Sequence, residues 1–192
     1  MNTDHKHEST HPLRGILYHI ICGSSSAPLA PHFIRQAQTH GWDVCVILTP
    51  HALKFVDTSL LSESTRRPVR SEYKHPEEPD LFPRADAIVV FPATFNTLNK
   101  WALGISGTLA VGLLSEYTGL KMPIVAVPCF MTGGGLDTNP AFRRSIRMLR
   151  RCGVHVIYRP ETYPPKNQVP PHIILEELDQ LRISVIAPSS LR

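Results

Sequence analysis

Three short segments of small and hydroxyl-bearing residues could together bind an anion. Gly23-Ser24-Ser25-Ser26, Thr49 and Thr94-Phe95-Asn96-Thr97 each follow an apolar run of the chain. A turn that leads from a strand into a helix presents backbone amides, and the helix dipole adds partial positive charge. Each segment alone is equally typical of an ordinary capped turn. The three in this order predict one phosphate site at neighbouring strand ends.

The elements that position these segments alternate between strands and helices. Apolar runs predict strands at 15–22, 42–48, 87–91, 123–127 and 154–158. Helices are predicted between them, including one that Thr49 caps, one that begins near Thr94, one at 107–117, one that Asn139 caps and a short one at 173–181. This alternation predicts an α/β fold, a flavodoxin-like (Rossmann-like) doubly wound parallel sheet in three α/β/α layers.

The class of nucleotide follows from a motif that the sequence lacks. No G-x-G-x-x-G with a downstream acid, the fingerprint of dinucleotide sites, appears in the chain. A nucleotide with a single phosphate therefore fits the predicted site better than a dinucleotide does.

Length and composition predict one domain. With 192 residues, of which 42% are hydrophobic and 19% charged, we expect a disordered tail at 1–14 and a single domain at 15–192. The formal net charge of +4 suits an anionic ligand or a peptide carboxylate, and no nucleic-acid signature appears. No signal peptide or membrane-spanning run is visible either. A cytoplasmic protein with neither nucleic acid nor membrane as partner is predicted.

The histidines of the tail and the cysteines predict neither a metal site nor disulfides. His5, His7 and His11 are poorly arranged for a metal ion, and no metal site is expected. The four cysteines lie far apart without a C-x-x-C pair, which favours buried free thiols over disulfides; they are Cys22, Cys45, Cys129 and Cys152.

The segment at 92–104, PATFNTLNKWALG, carries a family resemblance. It resembles the PASANT-x-x-K-x-A-x-G signature of the homo-oligomeric flavin-containing cysteine decarboxylases, with Thr94 and Phe95 in place of a Ser and an Ala. The T-x-x-A-x-x-F-V string that begins at Thr49 resembles a second element of that family. The resemblance covers about 15–181. Matching positions of the signature are Pro92, Ala93, Asn96, Thr97, Lys100, Ala102 and Gly104.

The resemblance implies FMN as the cofactor and a homo-oligomer, a trimer or a dodecamer built from trimers, whose neighbouring subunits complete the flavin site. It also implies oxidative decarboxylation of a cysteine. Asn96 would bind the substrate carboxylate, Thr94, Phe95 and Thr97 would line the isoalloxazine ring, and the phosphate and ribityl groups would be held by Gly23, Ser24, Ser25, Ser26 and Thr49.

The catalytic base is the point at which the sequence departs from the family. The stretch 57–83 is long, polar and rich in proline, which is typical of a functional loop. In the family a catalytic histidine lies in this stretch, at a fixed distance before the Ala-Asp that precedes the third strand. The ungapped position here is Glu78, and His75 requires a three-residue insertion. Either His75 or Glu78 is the base, or neither acts.

The substrate side of the predicted site also differs. Pro128 begins the string that matches the family's P-x-M-N-x-x-M-W motif, but Met131 stands where the motif has its Asn, so Met131 becomes the candidate substrate contact. The segment 159–171 contains five prolines and is expected to be a substrate clamp or a surface linker. It lacks the reducing cysteine of the phosphopantothenoylcysteine decarboxylases, which implies that the product stays an oxidised enethiol.

This pattern resembles the peptidyl-cysteine decarboxylases of lantibiotic and linaridin (cypemycin-type) pathways. The expected partner is a ribosomal precursor peptide with a C-terminal cysteine, and the expected product is an aminoenethiol. The alternatives are a phosphopantothenoylcysteine decarboxylase and a non-catalytic flavin-binding regulatory subunit. Five arginines between 143 and 151 either form a solvated or interfacial helix face or attract an anionic peptide end.

Overall fold

The computed structural model describes residues 13–186, with side chains as far as Ile183. Most of the tail predicted at 1–14 therefore lies outside the described residues. Its last residue, Arg14, donates its backbone amide to Gly41 O at 2.9 Å and forms an ion pair with Asp179.

Five parallel strands form one sheet in the order β2-β1-β3-β4-β5. Their bounds are β1 (Gly15–Ile21), β2 (Trp42–Leu48), β3 (Ala87–Ala93), β4 (Ile124–Pro128) and β5 (His155–Val156). The reversal of strand order next to β1 is the topological switch of a doubly wound sheet, so the predicted flavodoxin-like fold is confirmed.

Six α-helices cover both faces of the sheet in the described part of the chain. They are α1 (Ala30–Thr39), α2 (Thr58–Thr65), α3 (Phe95–Ala102), α4 (Leu109–Gly119), α5 (Pro140–Arg151) and α6 (Pro171–Ile186). The buried apolar residues of α3, α4 and α5 belong to one hydrophobic cluster, and those of α1, α2 and α6 belong to another. The sheet separates the two clusters, which gives the three predicted layers.

The stretch 57–83 is not the continuous loop that was predicted, because its first part is helical. The carboxylate of Asp57 accepts hydrogen bonds from the amides of Ser59 (2.9 Å) and Leu60 (3.2 Å), and it thereby caps α2. Leu61 is the fully buried apolar anchor of this helix. The irregular segment is therefore 66–86, and Arg70 within it exchanges backbone hydrogen bonds with β2.

The predicted bounds were also wrong at the C-terminal end. β5 has two residues rather than five. Beyond it the Ile157 amide still donates to Ala126 O (2.9 Å), and the side chain of Asn167 then takes over the pairing. This buried amide accepts from the Arg159 amide (2.9 Å) and donates to Ile157 O (2.8 Å) and Pro128 O (3.0 Å). The last helix, predicted at 173–181, begins at Pro171 and reaches Ile186.

His19 is a fully buried histidine in the middle of β1. Its Nε2 lies 2.7 Å from Phe91 O, and its ring lies 4.5 Å from the ring of Phe33. Burial lowers the pKa of His19 to about 4, so the ring is neutral at physiological pH. The hydrogen bond to Phe91 O requires that the neutral ring carries its proton on Nε2.

The four cysteines are free thiols, as the sequence predicted. Cys22, Cys45 and Cys129 are buried, and Cys152 is partly buried. Burial raises the pKa of Cys45 to about 11, so this thiol stays protonated near neutral pH. Within 13–186, no helix has the length and apolar character needed to cross a bilayer.

Candidate functional site

Backbone hydrogen bonds join the carboxyl ends of four strands into one edge. The amide of Thr49 donates to Ile21 O (3.0 Å), and the amide of Cys22 donates to Pro92 O (3.1 Å). The amide of Cys129, after β4, donates to Ala93 O (3.0 Å). The three predicted anion-binding segments therefore emerge side by side, at the edge where open α/β sheets bind ligands.

The turn after β1 can be built only with glycine at its first position. A Cβ atom at Gly23 would lie 2.9 Å from the backbone carbon of His51, closer than real Cβ contacts. The Gly23 amide donates to Thr49 Oγ1 (3.3 Å). Thr49 occupies the N-cap position that was predicted, at the start of the 3₁₀ segment Pro50–Lys54. Its hydroxyl makes no capping hydrogen bond there and instead accepts from the neighbouring turn.

Two serines of this turn differ in their surroundings. Ser24 Oγ accepts from the Ser26 amide (3.3 Å), which tightens the turn. The hydroxyl of Ser26 is buried and has no hydrogen-bond partner within the described structure. An unpartnered buried hydroxyl carries a desolvation cost, so such groups commonly serve a ligand or a bound water.

Thr94 begins α3 at the end of β3. Its hydroxyl accepts from the Thr97 amide (3.4 Å) and lies 3.0 Å from Thr97 Oγ1. This cap turns Asn96 outward, where it is exposed, while Thr97 is buried. Leu98 and Trp101, one turn further, are buried in the core and fix the helix against the sheet.

A cavity of about 510 Å³, here called the strand-end cavity, opens among the ends of β1, β2 and β3. Its volume lies within the ~300–1,000 Å³ typical of small-molecule sites. It brings together Gly23, Thr49, Thr94, Asn96 and Thr97, all of which the sequence predicted. The structure adds lining residues that had not been assigned to the site: Pro50, His51, Phe55, Lys100, Thr108 and Val111.

A second cavity of about 510 Å³, here called the loop cavity, adjoins the first and shares Gly23, Thr94 and Asn96 with it. Met131, a predicted substrate contact, lines this second space. The remaining lining residues are Ser24, Ser25, Phe95, Cys129, Phe130, Leu136 and Lys166. Asn96 therefore contacts both spaces, which suits a residue that contacts cofactor and substrate together.

Lys166 extends from the proline-rich segment 159–171 into the loop cavity. Its Nζ donates to Ser25 Oγ at 2.7 Å, which fixes this segment to the turn after β1. The sequence offered no signal for this contact, because the segment has no periodicity and the two residues are far apart in the chain. Lys100, by contrast, was visible as a matching position of the signature.

The electrostatic character of both cavities suits an anion. His51, Lys100 and Lys166 line them, and no carboxylate of the described residues does. Thr108 Oγ1, in the wall of the strand-end cavity, is buried without a hydrogen-bond partner in the described structure. Burial also raises the pKa of the Cys129 thiol, so this side chain is a neutral part of the wall.

His75 and Glu78, the two candidate bases, lie in the segment 66–86 and are exposed. They form a turn in which the Glu78 amide donates to His75 O (3.0 Å) and the His75 amide donates to Glu78 Oε2 (3.3 Å). Neither side chain is among the described residues that line the two cavities. Tyr73 of the same segment donates to Thr108 O (3.3 Å), so the segment reaches the wall of the strand-end cavity.

A doubly wound parallel sheet with small hydroxyl-bearing turns at its switch point defines a nucleotide-binding protein of the flavodoxin-like class. Residues 5–180 match the family described as Flavoprotein, and the chain belongs to that family. The resemblance carried by the segment at 92–104 is thus confirmed at the level of the family.

Curated relatives match parts of the chain. The dihydromethanopterin reductase (acceptor) of Methanosarcina mazei is 30% identical over 94 residues, which cover 49% of this chain and 36% of the relative. The coenzyme A biosynthesis bifunctional protein CoaBC of Thermococcus kodakarensis is 27% identical over 142 residues, which cover 71% and 34% respectively. The chain spans about a third of the length of the curated relatives it matches.

Solved structures match nearly the whole fold. The cypemycin decarboxylase CypD superposes with a TM-score of 0.72 at 21% identity, covering 91% of this chain and 98% of that structure. The FMN-dependent cysteine decarboxylase TvaF from thioviridamide biosynthesis gives a TM-score of 0.69 at 24% identity, covering 88% and 99%. At these identities the likeness shows a shared fold.

Proposed function

We propose that this protein is an FMN-dependent decarboxylase that oxidatively decarboxylates the C-terminal cysteine of a ribosomally made peptide. The observation that carries the proposal is the meeting of three strand-end segments at two adjoining cavities without a lining carboxylate. Membership of the Flavoprotein family supports the cofactor, and the CypD and TvaF structures, a cypemycin decarboxylase and an FMN-dependent cysteine decarboxylase, share the fold.

The residues of the strand-end cavity and of the adjoining turn after β1 fit FMN. The phosphate and ribityl groups would be held by the turn from Gly23 to Ser26 and by Thr49, where the unpartnered Ser26 hydroxyl offers a donor. Thr94, Phe95 and Thr97 would line the ring, and the ammonium of Lys100 would balance the phosphate charge. When bound, FMN would accept two electrons from the substrate, and dioxygen would be the final electron acceptor.

The terminal cysteine of the peptide would occupy the loop cavity. Asn96, which lines both cavities, would donate a hydrogen bond from its amide to the terminal carboxylate, and the ammonium of Lys166 would add a charge-assisted bond. Met131 and the buried Phe130 would contact the apolar atoms of the peptide. These groups orient the β-carbon of the cysteine toward the strand-end cavity.

The reaction removes two electrons and two protons from the cysteine side chain and then carbon dioxide. Loss of hydride from the β-carbon and of the thiol proton gives a thioaldehyde. The electron pair of the bond to the carboxylate then moves toward the sulfur, carbon dioxide leaves, and an aminoenethiol remains. His75 or Glu78 would accept the thiol proton.

His75→Ala and Glu78→Ala variants identify the base, with the neighbouring exposed Glu77→Ala as the matched control. Loss of a positioned general base reduces turnover by about a hundredfold or more. We expect that loss in one of the two variants, with FMN content unchanged. Full turnover in both variants would show that neither His75 nor Glu78 is the base.

A homo-oligomer in the cytoplasm is part of the same proposal. Phe55, Leu103 and Ile105 are apolar and exposed, and Phe55 stands at the strand-end cavity itself. A second copy packed on these residues would cover the cavity and could bring its own segment 66–86 to it. The exposure of His75 and Glu78 in a single copy is consistent with a base donated by a neighbour.

The test of the function is incubation of FMN-loaded protein with synthetic peptides that end in a free cysteine. The match to CoaBC favours a second candidate, decarboxylation of phosphopantothenoylcysteine, which the same assay includes as a substrate. The exposure of both candidate bases favours a third candidate, a flavin-binding regulatory subunit. That subunit would be yellow and inert, and it would capture a partner protein.

A further inference from the structure

A third cavity, of about 650 Å³ and here called the arginine groove, lies beside the loop cavity. Its floor is apolar, with the buried residues Phe142 and Ile146 of α5 and the ring of Tyr158. The rings of Phe142 and Tyr158 meet edge to face with centroids 5.0 Å apart. An apolar floor of this kind can contact the backbone and side chains of an extended peptide.

Three arginines of α5 form one wall of the arginine groove. Arg143, Arg147 and Arg150 lie four and three residues apart, so they share one face of the helix. No carboxylate of the described residues forms an ion pair with any of them. Arg147 Nε donates to Arg143 O (3.4 Å), and Arg150 Nη2 donates to Val156 O (3.0 Å), so each retains guanidinium donors.

Two acids lie across the groove from these arginines. Asp137 accepts the Gly133 amide at 2.8 Å, and this bond lowers the pKa of its carboxyl group. One oxygen of the Asp137 carboxylate is thus engaged by its own loop, whereas Oδ1 has no hydrogen-bond partner in the described structure. Glu161 is exposed at the margin. Three cations against two carboxylates leave the groove net positive.

The loop 131–137 separates the arginine groove from the loop cavity. Met131 and Leu136 line the loop cavity, whereas their neighbours Thr132 and Asp137 line the groove. Between Thr132 and Leu136 the loop consists of three exposed glycines at 133–135. A Cβ atom at Gly133 or Gly135 would meet no atom within 4 Å. An extended peptide can therefore cross the loop at these glycines without displacing a side chain.

We infer that the arginine groove binds an acidic stretch of the substrate peptide that lies upstream of its terminal cysteine. The inference rests on the proposed function, since it takes the terminal cysteine to occupy the loop cavity. Arg143 and Arg150 are about 10 Å apart along the helix axis. That distance equals about three residues of extended peptide. Two carboxylates in such a stretch can therefore form ion pairs with Arg143 and Arg150.

Two peptides and two double variants test this inference. One peptide ends in a free cysteine and carries glutamates upstream, and the other has glutamine at each of those positions. The variant Arg143→Glu/Arg147→Glu reverses two charges of the groove. The matched control Arg144→Glu/Arg151→Glu reverses two exposed charges of the same helix that do not line the groove. Both peptides carry a fluorescent label at the N-terminus, so anisotropy measures binding independently of turnover.

We expect the parent protein and the control variant to bind the glutamate peptide about fivefold more tightly than the glutamine peptide, since each exposed pair adds a modest gain. Added salt should remove the preference. In Arg143→Glu/Arg147→Glu the ratio should fall to about one. Equal ratios in the two variants would overturn the inference, as would a parent without preference. The inference would also be overturned if the groove variant changed its oligomeric mass but kept its preference for the glutamate peptide. That result would mean that the arginine groove is a contact between copies of the chain.

Failure of the proposed function gives a different result from failure of this inference. If the protein is not a decarboxylase, no peptide loses mass, yet anisotropy still reports whether the groove distinguishes the two peptides. If only the inference fails, both peptides lose mass and bind equally well.

Discussion

Gly23 is the residue on which the geometry of the predicted phosphate turn depends most directly. Gly23→Ala would place a Cβ atom 2.9 Å from the backbone of His51, so either the turn or the segment after β2 must move. We expect FMN affinity to fall about tenfold or more, as overpacking of this kind costs ~1–3 kcal/mol. Flavin absorbance of the purified protein and FMN titration measure the change.

Gly107→Ala is the control for this substitution. A Cβ atom at Gly107 would meet no atom within 4 Å, so FMN affinity should remain that of the parent protein. Equal FMN affinity in the Gly23→Ala variant would mean that the turn after β1 does not contact the cofactor.

His19 predicts how stability depends on pH. Its pKa is lowered to about 4 in the folded protein, against an ordinary value of 6.5, because the charged ring would be buried. The unfolded chain therefore binds more protons between these values, and stability falls as the pH drops below 6.5. We expect His19 to lower the free energy of unfolding by about 2 kcal/mol as the pH falls from 7 to 5.

Urea unfolding at pH 7 and pH 5 gives the stability that each protein loses on acidification. The difference in this loss between the parent and His19→Gln is the contribution of His19. Glutamine keeps an amide that can donate to Phe91 O but does not titrate. The variant should lose less stability than the parent on acidification. Equal losses in the two proteins would show that His19 does not titrate on unfolding.

At the scale of elements, the proline-rich segment 159–171 contributes one cation to the loop cavity. If Lys166 faces the terminal carboxylate of the peptide, the parent should bind a peptide acid about tenfold more tightly than the matching C-terminal amide. We expect Lys166→Met to lose most of this preference, as measured by anisotropy. Lys121→Met, at an exposed lysine of the turn after α4, is the control. A retained preference with weaker FMN binding would place Lys166 at the cofactor instead.

The strands were predictable from sequence because they are buried on both faces and read as continuous apolar runs. β2 matches its prediction at both ends, and β1 differs from its prediction by one residue. α2 was missed because its sequence, TSLLSEST, has few apolar residues, and its start depends on the cap from Asp57. β5 was predicted too long because no local pattern reveals that the side chain of Asn167 takes over the pairing beyond the Ile157 amide.

The site was partly predictable for the same physical reason. Residues that directly follow predicted strands, such as Gly23, Thr49 and Thr94, must meet at one edge of a parallel sheet. Lys166 comes from a distant segment, and its contact with Ser25 arises only from tertiary packing. The roles of His75 and Glu78 stay predictions, since both lie outside the described lining of the two cavities.

At the scale of the whole molecule, exposed apolar side chains predict assembly. Leu103 and Ile105, in the segment that follows α3, are 63% and 47% exposed, which is costly for a solitary subunit. We expect light scattering to give the mass of an oligomer for the parent and of a monomer for Leu103→Asp/Ile105→Asp, with loss of bound FMN. Leu120→Asp, at a residue that is 47% exposed after α4, should remain an oligomer. A monomeric parent that binds FMN fully would contradict a shared site.

The most direct test of the central claim is mass spectrometry of peptides after incubation in air with FMN-loaded protein. The account predicts that peptides ending in a free cysteine lose about 46 Da, the mass of carbon dioxide and two hydrogens. Matched peptides ending in serine should stay unchanged. A yellow protein that leaves every cysteine-ended peptide intact would contradict the account and favour the regulatory subunit.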